Sequence, residues 1–432
     1  MSHCVTNWHV HSALMTSRKY PAIKGHQGQR SRKMMITSSE NQRILRHLQQ
    51  RWWGITAVWL THLLLVYGWL RQAWPEHASR WVLFAALAMV YCLWIVWRGL
   101  AENHRAGERL LLATLGWGNR LSLMRGLAIS LVAGFLFSPW PQGALAWLPV
   151  LLYTAADIAD YLDGYAARVT NHATSLGERL DMEFDGMGML VVSILAVWYG
   201  QLPWWYLTLG LARYLFVFGL WWRKRRRMPV YELQPSVHRR IFAGFQMGFM
   251  SAVLWPILPA DGSTIAGTLF AIPTTLGFLR DWLVVSGRLD PTHPTYKRIQ
   301  HYLVTATRLW FPLLLRIILL ISLVLLYRTL DNWIRPFPWQ SLITSWGVPG
   351  AAVLATVLGI IGLLGLVMVV TGSLGRLMSL ALVFPIGFDI TSQGLGWVNG
   401  IALGCVICLM LLGTGPWSRW PVEEPYMVRR LG

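Results

Sequence analysis

Residues 351–370 read AAVLATVLGIIGLLGLVMVV, twenty positions without one charged side chain. A helix of about 20 apolar residues crosses the roughly 30 Å hydrocarbon core of a bilayer, and it satisfies its own backbone hydrogen bonds there. A strand of a transmembrane barrel would alternate apolar with polar residues, and this stretch shows no such alternation. The stretch therefore predicts a membrane-spanning helix.

The rest of the chain has the same character. Of 432 residues, 55% are hydrophobic and 13% are charged, which is about half the charged share of a soluble domain. Similar segments fall near residues 53–71, 81–98, 120–138, 142–169, 178–201, 203–222, 240–258, 263–285, 309–327, 348–371, 376–390 and 396–413. We therefore predict an all-α, polytopic membrane bundle of about 12 transmembrane helices.

Basic residues outnumber acidic ones, 38 to 19, for a formal net charge of +19. In a soluble protein this excess would suggest nucleic-acid binding, but membrane topology explains it here. With the N-terminus in the cytoplasm, most basic residues, including the run 223–227, fall on the cytoplasmic side, in agreement with the positive-inside rule. We expect a plasma-membrane protein with both termini in the cytoplasm and no nucleic-acid partner.

Breaks in the apolar pattern divide the chain into four parts. Residues 1–51 are predicted to form a basic, flexible cytoplasmic tail, since they lack the apolar core of a secretory signal. Residues 52–110 form a two-helix preface, and residues 111–300 form a six-helix block. Residues 301–432 form a C-terminal four-helix membrane module whose role the sequence leaves open.

Seven of the 19 acidic residues lie between positions 157 and 185. Asp160 and Asp163 are three residues apart and Asp181 and Asp185 four apart, so each pair shares one helix face. The small, polar link at 170–175 predicts that the two helices are antiparallel neighbours whose four carboxylates converge near the cytoplasmic surface. Carboxylates this close repel one another unless cations lie between them, and Mg²⁺ prefers carboxylate and phosphate oxygens. The spacing therefore predicts a metal site.

Small residues accompany these aspartates. Gly164 follows Asp163, and Gly177 lies one turn before Asp181. Together with Ala167 they leave space for a bulky group beside the metals. Arg168 is placed either to meet a phosphate or to close the carboxylate network.

Two elements together resemble the signature of the CDP-alcohol phosphatidyltransferase family: Asp160-x-x-Asp163-Gly164-x-x-Ala167-Arg168 and, after eight residues, Gly177-x-x-x-Asp181-x-x-x-Asp185. Upstream, Asn119-x-Leu121-Ser122-x-x-Arg125 is similar to the Asn-x-Leu-Thr-x-x-Arg element of that family. The resemblance covers residues 115–290 and marks 111–300 as the predicted CDP-alcohol phosphatidyltransferase domain.

The resemblance implies that a phosphatidyl group moves from a CDP-linked lipid, such as CDP-diacylglycerol, to an alcohol or polyol phosphate, with release of CMP. It also implies a homodimer and two Mg²⁺ ions, with Mn²⁺ as a substitute. Two such ions would clamp the diphosphate during in-line displacement. The residue roles that it implies are metal binding by Asp160, Asp163, Asp181 and Asp185, general base catalysis by Asp185, and CDP binding by Asn119, Gly164, Ala167, Arg168 and Gly177.

The acceptor is less determined. Arg213 lies in mid-segment, where a charge needs an anionic partner, and Arg239 and Arg240 precede the next apolar segment. If these three arginines line one pocket, the acceptor is a polyol phosphate such as glycerol 3-phosphate or inositol phosphate. Arg239 and Arg240 equally fit a role in marking the cytoplasmic boundary.

The C-terminal module has no comparable acidic cluster. Residues 309–415 resemble a DoxX-like four-helix membrane module in three stretches: Thr371-Gly372-x-x-x-Arg376, Gly396-Trp397-x-x-Gly400 and Leu411-Leu412-Gly413-Thr414-Gly415. Arg316 is charged and lies deep in this block, where a lipid phosphate, a backbone carbonyl or a polar neighbour could pair with it. The alternative function for the whole chain is a catalytically silent homologue that acts as a membrane transporter or lipid-binding scaffold.

Overall fold

A computed structural model describes residues 26–233, 237–326, 339–345, 350–415 and 417–420; the side chains of 26–38, 237–241, 308 and 342 are not described. Within these ranges the chain forms fourteen α-helices and no β-strand. The helices are α1 His26–Ala73, α2 Pro75–Gly99, α3 Trp117–Ala133, α4 Leu148–Val169, α5 Ser175–Trp198, α6 Leu207–Arg225, α7 Val237–Ala252, α8 Ala260–Val285, α9 Pro294–Thr305, α10 Phe311–Leu326, α11 Trp339–Ser345, α12 Ala351–Thr371, α13 Gly375–Gln393 and α14 Trp397–Leu412.

The predicted all-α membrane bundle is confirmed. Each of the twelve apolar segments overlaps one of these helices. Among the described residues, five helical stretches are long and apolar enough to cross a membrane: Ser39–Ala73, Pro75–Glu102, Gly143–Val169, Ala260–Val285 and Ala351–Thr371. The number of twelve crossings stays a prediction.

Local sequence signals explain several helix boundaries. Proline occupies the first turn of α2 and of α4, where its missing N–H leaves no bond unmade. Helix α12 ends at Gly372, whose φ of +72° is the left-handed conformation that glycine adopts without steric cost. Helix α1 begins at His26, inside the predicted tail, and residues 1–25 lie outside the described residues.

The first compact unit extends to Tyr199 and contains α1–α5. Helix α3 is central to it, because it packs against α2, α4 and α5. The buried Trp81 of α2 packs against Gly134, the residue that follows α3. A Cβ on Gly134 would lie 2.5 Å from the indole Nε1. Only glycine allows this approach, so large aromatic residues can fill the space between these helices.

The second compact unit begins at Gly200 and contains α6–α14. Helix α14 packs against α10 and α13, and α12 packs against α13. This group of helices buries two arginines, Arg316 and Arg376, together with Asp389. The predicted domain limits at 110 and 300 stay predictions.

Candidate active site

The four aspartates of the acidic cluster lie on α4 and α5, and α3 packs against both helices. Asp160 and Asp163 are on α4, and Asp181 and Asp185 are on α5. The main packing partner of each helix is α3, and direct contacts between α4 and α5 are few. The carboxylates therefore converge, as the spacing predicts, but they do so across the face of a third helix.

Arg125 of α3 lies at the centre of the cluster. Its Nη1 donates to Asp160 Oδ1 and, at 3.2 Å, to Asp181 Oδ1, and its Nη2 donates to Asp185 Oδ1. The Arg125 side chain is 2% exposed, whereas those of Asp160, Asp181 and Asp185 are 10%, 22% and 30% exposed. A guanidinium is always charged in proteins. Arg125 therefore offsets part of the repulsion among the carboxylates.

Three of the carboxylates form a group that suits a cation. One oxygen from each of Asp160, Asp163 and Asp181 lies within 4.8 Å of the others. Hard divalent cations such as Mg²⁺ bind oxygen ligands and complete their shells with water or substrate phosphate. The donor chemistry of these residues fits the predicted metal, and the identity of the ion stays a prediction.

Ser122 fixes the orientation of the most buried aspartate. Its hydroxyl donates to Asp163 Oδ2 at 2.7 Å, and both side chains are buried. A hydrogen-bond partner behind a metal-binding carboxylate holds the side chain in position for the ion. Ser122 of α3 thus holds the Asp163 carboxylate in one orientation.

A chain of amides and hydroxyls joins the start of α5 to the loop before α3. Thr174 caps α5 by accepting from Gly177 N at 3.1 Å. Asn119 Nδ2 lies 3.2 Å from Thr174 Oγ1 and 3.3 Å from Asn103 Oδ1. Asn103 in turn donates to Leu112 O at 2.8 Å and to the Thr114 carbonyl. The loop between α2 and α3 is therefore hydrogen-bonded, through Asn119, to the start of α5, the helix that carries Asp181 and Asp185.

The small residues of the motif allow α3 to approach closely. A Cβ on Gly177 would lie 2.7 Å from Asn119 Oδ1, and a Cβ on Gly118 would lie 2.9 Å from both Ala167 Cβ and Asp163 O. Helix packing thus accounts for the small size of Gly177 and Ala167, in addition to the predicted space for a nucleotide. Arg168 is exposed, and its Nη1 would be 3.3 Å from a Cβ on Gly164.

The sequence pattern assigns no role to three residues that contribute to the site. It assigned none to Arg125 and Ser122, although both lie in the quoted upstream element, and it did not name Asn103. Arg125 and Ser122 had a signal, since polar residues three apart in an apolar helix share a face. Asn103 precedes α3 in an irregular loop and had none.

The residues predicted to bind the acceptor are described only in part. Arg213 is half-buried on α6, in the second compact unit. Arg239 and Arg240 fall in the first turn of α7, and their side chains lie outside the described residues. The acceptor pocket stays a prediction.

Comparison with known proteins confirms the predicted resemblance for this part of the chain. Residues 117–279 match the model of the CDP-alcohol phosphatidyltransferase family. A putative cardiolipin synthase of Mycobacterium tuberculosis is 29% identical over 140 residues, which cover 32% of this chain and 63% of the relative. A CDP-diacylglycerol–glycerol-3-phosphate 3-phosphatidyltransferase of Cereibacter sphaeroides is 32% identical over 108 residues, 24% of this chain and 47% of the relative.

These matches show that residues 117–279 are similar to transferases of this family. The chain spans less than two thirds of the length of these relatives, 63% and 47%. No solved structure matches the chain significantly.

Proposed function

We propose that the chain synthesises a membrane phospholipid by moving a phosphatidyl group from a CDP-linked lipid, such as CDP-diacylglycerol, to an alcohol or polyol phosphate. The acceptor oxygen forms a bond to the phosphatidyl phosphorus, and the bond from that phosphorus to the CMP oxygen breaks. CMP leaves with the bonding electron pair, and the acceptor's proton goes to a carboxylate.

One observation carries the proposal: Asp160, Asp163 and Asp181 bring carboxylate oxygens within 4.8 Å of one another inside the region that matches the family model. These residues would hold the metal ions, with Ser122 orienting Asp163 at 2.7 Å. Bound divalent cations would supply neutralisation of the charge that develops on the leaving diphosphate oxygen.

Asp185 is the base in this proposal, and by analogy it also reaches a metal. Its side chain is the most exposed of the three that contact Arg125, at 30%, so an incoming hydroxyl can reach it more readily than Asp160. Its Oδ1 accepts a hydrogen bond from Arg125 Nη2, which fixes the position of the carboxylate at the cluster. The CDP group would lie beside Gly164, Ala167 and Gly177, with Arg168 near a phosphate.

The acceptor, the location and the assembly belong to the proposal as well. The names of the two relatives make glycerol 3-phosphate and lipid alcohols reasonable acceptors to test, and Arg213, Arg239 and Arg240 suit a phosphorylated one. We place the site at the cytoplasmic face of the plasma membrane, and we expect a homodimer.

The test uses the purified full chain in detergent with CDP-diacylglycerol, Mg²⁺ and one acceptor at a time from glycerol 3-phosphate, inositol phosphate and phosphatidylglycerol. CMP is measured by chromatography and the lipid product by mass spectrometry. We expect release of CMP that needs both Mg²⁺ and one of the acceptors. The Asp185→Asn variant should lose roughly 10²–10⁴-fold in rate, which is the usual contribution of a general base.

Glu183→Gln is the matched control, because Glu183 lies on the same helix but about 200° around it from Asp181. This variant should keep wild-type activity. Absence of CMP release with every acceptor from a folded wild-type protein would favour the silent scaffold instead. Full activity of Asp185→Asn would remove Asp185 from the mechanism.

A further inference from the structure

Arg316 is a buried arginine of the second compact unit, 3% exposed, on α10. Its Nη1 donates to the carbonyl oxygens of Val370, at 3.2 Å, and of Trp417, at 3.3 Å. These bonds join α10 to the end of α12 and to the segment after α14. They use one nitrogen of the guanidinium and hold its plane in place.

The remaining edge of this guanidinium has no partner. Nε and Nη2 are both buried and make no hydrogen bond within the part of the chain that the structure describes. Their N–H groups lie on the same edge and point the same way, which is the arrangement that receives two oxygens of a carboxylate or phosphate. A buried charge with unsatisfied donors is costly, so this edge is suited to an oxyanion.

Two other buried charged residues of this unit form no ion pair with Arg316 among the described residues. Asp389 of α13 accepts a hydrogen bond from Asn399 on Oδ2 at 3.0 Å, and its buried Oδ1 has no hydrogen-bond partner in the described part of the chain. Arg376 donates to the carbonyls of Met410 and Leu411. Among residues 200–233, 237–326, 339–345, 350–415 and 417–420, the recorded ion pairs do not include Arg316. No described carboxylate pairs with Arg316, so an anion from outside this set would complete the hydrogen bonding of its unpartnered edge.

The surroundings of Arg316 favour a phospholipid as the source of that anion. Leu320 lies 40° around α10 from Arg316 and is 39% exposed, and Leu314, Ile317 and Ile321 further around the same helix are each about half exposed. Together they offer an aliphatic surface to acyl chains. The exposed indoles of Trp310 and Trp417 lie at the same end of the helix as Arg316, and tryptophan prefers the headgroup level of a bilayer. Arg316 follows Trp310 by six positions, about 9 Å along a helix.

We propose that the Nε and Nη2 edge of Arg316 binds a phosphate oxyanion, carried by the headgroup of a membrane phospholipid whose chains lie along α10. The site belongs to the C-terminal helices and does not depend on the transferase reaction. It gives these helices a role in holding a structural lipid. Free inorganic phosphate offers the same oxygens and is the other source to be distinguished.

The test uses delipidated full-length protein in a non-ionic detergent with EDTA and without CDP-lipid, so that no turnover occurs. The thermal unfolding midpoint is followed while dioleoylphosphatidylglycerol in mixed micelles with the same detergent, or inorganic phosphate, is titrated in separate arms. We expect the wild-type midpoint to rise with ligand concentration, because a ligand that binds only the folded state stabilises it. In Arg316→Gln the apparent affinity should fall by on the order of tenfold or more, since two charge-assisted hydrogen bonds are lost.

Arg298→Gln, which removes an exposed arginine from α9, is the matched control and should titrate as the wild type does. Both variants keep the aspartate cluster, so their difference isolates Arg316 from lipid binding at the transferase site. A response to the lipid alone supports the headgroup as the source, and a response to both probes supports recognition of phosphate itself.

The proposal is overturned if neither probe shifts the wild-type midpoint, or if Arg316→Gln responds as strongly as the wild type. Arg316→Lys covers the case in which Arg316→Gln does not fold. Lysine keeps the charge but not the paired N–H edge, so it should bind more weakly, and an unchanged affinity would exclude the two-point contact.

Discussion

Replacement of Arg125 by methionine should make the stability of the protein depend on divalent cations. Methionine keeps a long, flexible side chain but removes the charge that contacts Asp160, Asp181 and Asp185. These carboxylates then repel one another without compensation unless a metal ion takes over that role. The variant therefore separates the contribution of the arginine from that of the metal.

The size of the effect follows from burial. Breaking a buried ion pair typically costs about 3–5 kcal/mol. The lower end applies here, because the Asp181 and Asp185 side chains are 22% and 30% exposed and water screens them partly. A loss of about 3 kcal/mol lowers the unfolding midpoint by roughly 6–12 °C for a unit of this size. A metal ion at about 100 times its Kd restores about 2.7 kcal/mol.

The assay is thermal unfolding of wild type and Arg125→Met in EDTA and in Mg²⁺ or Mn²⁺. The metal-induced rise should be larger in the variant, since in the wild type an ion competes with Arg125 for the same oxygens. Arg179→Met is the control: Arg179 pairs with Glu102 at 2.5 Å, with side chains 33% and 42% exposed, and such pairs contribute about 0–1 kcal/mol. Equal stability of Arg125→Met and wild type in EDTA, or equal metal responses, would refute the reasoning.

Two further substitutions test the packing behind the site. Ser122→Ala removes the 2.7 Å hydrogen bond to Asp163 and should weaken metal affinity by about 10–100-fold, measured by Mn²⁺ titration with electron paramagnetic resonance; unchanged affinity would contradict the orienting role. Gly118→Ala would place a Cβ 2.9 Å from the Asp163 carbonyl and should destabilise the protein by about 1–3 kcal/mol. Gly54→Ala, which meets nothing within 4 Å in α1, should instead gain about 0.5–1 kcal/mol, and equal unfolding midpoints for the two variants would exclude the clash.

The helices of this protein were predictable because their signal is local. An apolar run such as 351–370 satisfies its backbone hydrogen bonds in a bilayer by forming a helix. The structure accordingly has α12 at Ala351–Thr371. The pairing within each aspartate pair was also predictable, since residues three or four apart lie on one helix face. Both inferences depend on separations of a few residues along the chain.

The contacts made by α3 could not be read in the same way. Arg125 meets partners 35, 56 and 60 residues further along the chain, and no periodicity encodes a separation of that size. The expectation of two adjacent antiparallel helices left no place for a third. The start of α5 also differs from the apolar segment predicted near 178–201, because Thr174 caps a helix that begins at Ser175. The sequence alone therefore does not predict these contacts, because tertiary packing decides which polar helix faces lie against each other.

Charge explains why α3 supplies one arginine and not several. Four carboxylates around a single guanidinium keep a net negative charge, and a cluster balanced by arginines alone would have no attraction left for a metal ion. Arg125 reaches Asp160, Asp181 and Asp185, while Asp163 is held by the neutral Ser122. The fold therefore compensates only part of the cluster's charge, and we expect the remainder to attract divalent cations. A nucleotide diphosphate is itself anionic, so we expect it to bind tightly only after those cations have reversed the local charge. We therefore expect metal binding to precede nucleotide binding.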